Sequence, residues 1–130
     1  MTAKTVVTNT ITGTFTAKIE KQPDFAATRF TVSEGSDHFH FYGTEGDPHP
    51  LKNYRGIYII VKKDVSGFKL AQFGYLDKQG EKQKFYEAED GTFTFDFDET
   101  KKHYKMSFHV VAQYVIEKVD ILGSFDLTVS

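Results

Sequence analysis

Ile11-Thr12-Gly13-Thr14-Phe15 returns near the other end of the chain as Ile121-Leu122-Gly123-Ser124-Phe125, and each copy runs on in alternation, to Ile19 and to Val129. A two-residue period places Ile11, Gly13, Phe15, Ala17 and Ile19 on one face of a strand. It does the same for Ile121, Gly123, Phe125, Leu127 and Val129, so both ends of the chain read as strands with one buried side. Small β-domains leave few long edges uncovered. The two copies are therefore expected in the same sheet or as near neighbours, with Phe15 and Phe125 in one core.

Between them, turn signals recur at short spacing and the apolar runs alternate with the same period, leaving no helical pattern. Strands are expected near 11–20, 25–33, 37–43, 56–63, 67–76, 81–88, 92–98, 103–115 and 119–129. Gln22-Pro23-Asp24, Ser33-Glu34-Gly35-Ser36, Asp64-Val65-Ser66-Gly67, Asp77-Lys78-Gln79-Gly80, Glu89-Asp90-Gly91 and Asp98-Glu99-Thr100-Lys101 supply the turns. The expected architecture is all-β: one domain over 1–130, an antiparallel β-sandwich or flattened β-barrel of about nine strands. Strand 56–63 is apolar on both faces and should lie centrally. Strand 92–98 sends Phe93, Phe95 and Phe97 one way and Thr92, Thr94, Asp96 and Asp98 the other. Those carboxylates keep a strongly strand-forming segment soluble.

At 130 residues the chain can bury a core without metal or disulfide, and it contains no cysteine. Thirteen phenylalanines and no tryptophan make that core phenylalanine-rich, which leaves the seven tyrosines as the binding aromatics. A net charge of −2, from 16 basic and 18 acidic residues interspersed, gives no one-signed field for nucleic acid or anionic lipid. Outward positions carry Thr, Lys, Glu and Asp rather than a lipid-facing band, so neither nucleic acid nor membrane is an expected partner. No apolar targeting run opens the chain. A soluble protein, cytoplasmic or secreted, is the expectation.

The segment Gly43 to Arg55 is the longest connection, punctuated by Gly46-Asp47-Pro48-His49-Pro50, and long polar loops on rigid β-scaffolds carry function. Asn53, Tyr54 and Arg55 at its end, with Tyr42 and Tyr58 on the flanking strands, are the candidate ligand-binding residues. A tyrosine ring can stack on a sugar while its hydroxyl orients it. Tyr75 and Tyr86 belong to the same set of candidate aromatics.

A second constellation is Asp37-His38-Phe39-His40-Phe41-Tyr42-Gly43-Thr44-Glu45. His38 and His40 share a strand face, so they could chelate a divalent metal with Glu45 returning from a turn, and His103 or His109 could complete the set. The H-x-H-x4-E order resembles part of the first cupin motif, which implies a small metal-dependent enzyme; the glycine expected before the first histidine is displaced to Gly35, and Lys52 stands in place of the trailing one. Gly13-Thr14-Phe15 is similar to the Gly-x-Trp of lipocalin-type barrels, with phenylalanine for tryptophan.

No nucleophile elbow, P-loop or Rossmann fingerprint occurs. The preferred expectation is a non-catalytic domain without cofactor that binds a small molecule or carbohydrate. The alternatives are the metal-dependent enzyme and a protein–protein or self-association module, a homo-oligomer formed through an exposed edge strand.

Overall fold

The computed structural model describes residues 10–46 and 52–130, and for Glu89 and Asp90 the backbone alone. Among the described residues there are nine strands and no helix: β1 (Ile11–Ile19), β2 (Phe25–Ala26), β3 (Arg29–Glu34), β4 (His38–Gly46), β5 (Tyr54–Asp64), β6 (Gly67–Gln79), β7 (Lys82–Asp98), β8 (His103–Tyr114) and β9 (Glu117–Val129). No helix long and apolar enough to cross a membrane is present among them.

All nine belong to one antiparallel sheet in the order β2-β1-β9-β8-β7-β6-β5-β4-β3. The two outermost strands, β2 and β3, are consecutive pieces of one stretch interrupted at Ala27 and Thr28. At that interruption the Ala27 N–H donates to the Phe15 carbonyl at 2.9 Å, and the Thr28 N–H donates to the Thr44 carbonyl at 2.7 Å. One stretch thus holds β1 at its start and β4 along its remainder, which curls the sheet round on itself as a flattened barrel.

The expected pairing of the chain ends is present along the full length of β1. Phe15 stands directly opposite Phe125, their ring centroids 5.3 Å apart and both buried. The repeated glycines have a physical reason. Gly13 has φ of +137°, and a Cβ there would overlap the Asp126 carbonyl, while a Cβ on Gly123 would lie 2.7 Å from that of Ala17.

The interior is filled by alternate residues of every long strand, including Phe39 and Phe41 of β4, Ile57, Ile59 and Val61 of β5, and Tyr104, Met106, Phe108, Val110 and Ala112 of β8. Strand β5 lies well inside the sheet, paired on both sides. Three local expectations are corrected. Glu89-Asp90-Gly91 is not a turn: β7 runs through it, with a register shift between Ala88 and Asp90 that leaves one additional residue as a bulge. The stretch 25–33 divides into β2 and β3, because its two ends pair with different strands. The 43–55 connection is shorter than expected: β4 runs on to Gly46 and β5 begins at Tyr54, the two pairing as adjacent antiparallel strands. Pro48 and Pro50 lie outside the described residues.

Candidate functional site

At the end of the barrel where β4 and β6 finish and β5, β7 and β9 begin, the strands outrun the apolar core. Inward positions then become polar. On β4 the inward series Phe39, Phe41, Gly43 ends in Glu45; on β5 the series Val61, Ile59, Ile57, read backwards, ends in Arg55; on β6, Phe73 and Tyr75 lead to Asp77. Register sets these ends side by side. Glu45 is opposite Arg55, Arg55 opposite Asp77 and Asp77 opposite Lys84, and Lys84 Nζ reaches the Glu117 carboxylate of β9 at 3.4 Å. The inside of the mouth therefore carries a ladder of alternating charge: Glu45, Arg55, Asp77, Lys84, Glu117. Opposite charges directly across a sheet attract, whereas like charges there repel.

Arg55 anchors this ladder. Its Nε–H donates to Glu45 Oε1 at 2.5 Å, and the same carboxylate oxygen takes a second, closer contact from the guanidinium. Nη1 donates to the Pro23 carbonyl at 2.7 Å, and Nη2, which makes that second contact to Glu45, also donates to the Asp24 carbonyl at 2.9 Å; the guanidinium lies 5.8 Å from the Phe25 ring centroid. The other Glu45 oxygen accepts from the Ala26 N–H at 2.9 Å. One planar fork thus pins the β1–β2 connection across the barrel mouth.

Tyr86 forms the floor, with the fully buried Tyr75 stacked against it, centroids 5.6 Å apart. Tyr75 donates to Gln22 Oε1 at 2.5 Å, and Tyr86 donates to Glu117. Burial pushes the Tyr75 phenol up to about 12, although Arg55 beside it draws it down. Above this floor lies an open chamber of about 690 Å³ whose wall includes Gln22, Glu45, Asn53, Tyr54, Arg55, Asp77, Lys84, Tyr86 and Glu117. Tyr54 is half-buried on its rim, with Lys78 Nζ 5.7 Å from its ring centroid. Asn53 Oδ1 accepts from the Gly80 N–H at 2.9 Å, tying the β4–β5 connection to the β6–β7 turn.

Of the candidate binding residues, Asn53, Tyr54 and Arg55 line this chamber. Both Tyr54 and Arg55 are strand residues rather than loop residues: Arg55 turns its side chain inward, while Tyr54, one residue earlier in β5, has the opposite parity and borders the chamber at the strand end, beside Lys78. Tyr42 and Tyr58 do not join them: they are opposite one another on β4 and β5, centroids 5.8 Å apart, on the outer face of the sheet. The His38, His40 and Glu45 set is likewise divided. β4 stays extended through Gly46, so no turn brings Glu45 back; parity sends its side chain inward to Arg55 and the two histidines outward. His38 Nδ1 lies 3.0 Å from Asp37 and His40 Nδ1 lies 2.8 Å from the Tyr58 hydroxyl. His103 and His109 are on β8, beside Asp126 and Asp120. Among the described residues no group of three or more His, Asp or Glu side chains is placed to hold a metal ion.

Composition and motif spacing do not single out Glu45 as the partner of Arg55, nor Gln22, Asp77, Lys84 and Glu117 as site residues. Parity was the available signal for the charged ones, since each continues an inward-facing apolar series past its last hydrophobic residue. Comparison with protein-family models, curated proteins and solved structures gives no match.

Proposed function

We propose that this protein is a non-catalytic binding domain that takes a small neutral polar ligand, a carbohydrate foremost, in the chamber at the barrel mouth. The observation that carries this reading is the alternating ladder Glu45-Arg55-Asp77-Lys84-Glu117 above a tyrosine floor. Charges of both signs interleaved at one level offer hydrogen-bond donors and acceptors in alternation without attracting one charge type. A sugar, with adjacent hydroxyls that each donate and accept, matches that arrangement better than an anion or an apolar molecule does. Tyr54 brings an aromatic ring to the rim of the chamber, and its backbone is fixed in β5, so little ordering accompanies binding.

Isothermal titration calorimetry with neutral mono- and oligosaccharides tests this. A sugar that binds the native chain should bind Tyr54→Ala about tenfold more weakly, the loss of one aromatic contact. Thermal stability should change little. Failure of every neutral sugar to bind, alongside binding of an anionic or apolar ligand, would overturn the reading.

A further inference from the structure

β6 and β7 are paired only from Gly74 opposite Glu87 to Gln79 opposite Lys82. Beyond that point β6 extends back to Gly67 and β7 extends on to Asp98, yet among the described residues no backbone pairing joins Gly67–Phe73 to Thr92–Asp98. The divergence has a local cause. Ala71 is the additional residue of a bulge on β6, between Gln72 opposite Ile60 and Leu70 opposite Val61. Glu89 plays the same part on β7. Bulges increase local twist and re-aim a strand, and two of them flank the point where the seam opens. The Phe93, Phe95 and Phe97 side chains beside it remain half-buried, and Thr92, Thr94 and Asp96 are exposed on the outer face.

We propose that the open edge of β7, Thr92–Asp98, pairs antiparallel with the same edge of a second copy of this chain. An unpaired row of peptide groups is satisfied best by another extended backbone, and a twofold axis makes the contact with one surface used twice. The sequence of this edge favours itself as partner. Pairing the whole stretch Thr92-Phe93-Thr94-Phe95-Asp96-Phe97-Asp98 with a second copy centres the axis on Phe95. Thr94 then faces Asp96, Thr92 faces Asp98 and Phe93 faces Phe97. No carboxylate opposes another. Moving the axis one rung, to Asp96, sets Asp96 against Asp96, so the carboxylates also disfavour that slip. Strand order becomes continuous from β8 through both copies of β7.

Sedimentation equilibrium of the full chain, with two opposite substitutions at the exposed Thr94, tests the proposal. The native chain should form a reversible dimer. Thr94→Asp places a carboxylate against Asp96 at two symmetric positions and should weaken the dimer about tenfold. Thr94→Lys places a cation there and should keep or tighten it. Both variants lose the Thr94–Ser107 hydroxyl contact, so that loss does not distinguish them. The cysteine-free chain permits a second measurement: mixed Thr94→Cys and Asp96→Cys proteins should form a disulfide heterodimer in preference to either homodimer. A monomer at every concentration, including one that captures an unrelated extended peptide, would overturn the proposal. So would a dimer that Thr94→Asp and Thr94→Lys alter equally.

Discussion

Glu45 and Arg55 stand directly opposite each other on β4 and β5 with both side chains turned into the barrel, and Arg55 also holds the Pro23 and Asp24 carbonyls. Removing the guanidinium leaves a largely enclosed carboxylate and two carbonyls short of a donor. Because the pair retains some solvent, with side-chain exposures of 12% and 23%, Arg55→Ala should cost about 2–3 kcal/mol, below the figure for a fully buried pair. Arg55→Lys should recover little, since a single ammonium cannot serve three acceptors in one plane. Urea denaturation of the two variants measures both effects.

Phe125 contacts Phe15 across the β1–β9 ladder, and its centroid is 4.6 Å from that of Phe41 on the opposite side of the core. Truncation opens a cavity where the two ends of the chain meet the middle. Phe125→Ala should destabilise the fold by about 3–5 kcal/mol with an unchanged denaturant slope. An unaltered midpoint would show that the closure of the sheet does not depend on this contact.

Tyr75 gives an alkaline signature. Its phenol ionises near 10 when free and is pushed up to about 12 by burial in the fold. The folded state therefore favours the protonated form, so the stabilisation is complete below about pH 10 and is lost as pH rises toward about 12. Thermal unfolding temperatures should fall across that window. Tyr75→Phe should flatten the fall, and phenolate absorbance should show one fewer late-titrating tyrosine. Tyr104, raised by burial and by the Glu34 carboxylate it bonds, titrates later still.

Much of the fold is legible in the two-residue period, and the exceptions share one cause. Phe15 and Phe125, or Met106 and Phe108, announce their face because a buried side chain must be apolar. Glu89-Asp90-Gly91 reads as a turn on composition, yet it is a bulge inside β7, because pairing with β8 continues on both sides of it. Local residue choice cannot distinguish those two outcomes; the partner strand does. The split of 25–33 into β2 and β3 is non-local in the same way, set by Phe15 and Thr44 accepting from adjacent residues. At the site, Tyr54 and Arg55 were visible as residues beside a long connection. Glu45 reads as a partner of the histidines only if β4 ends at Gly43. Three more residues of strand reverse the direction in which its carboxylate is understood to point.

The most direct measurement of the ligand chamber is a titration of the isotope-labelled chain with neutral sugars, followed by amide NMR. Binding at the barrel mouth predicts shifts concentrated at Gln22, Asn53, Tyr54, Lys84 and Glu117, and their loss in Tyr54→Ala while the remaining spectrum is preserved. Shifts concentrated instead at Tyr42 and Tyr58 on the outer face, or an unresponsive mouth in the presence of a bound sugar, would contradict it.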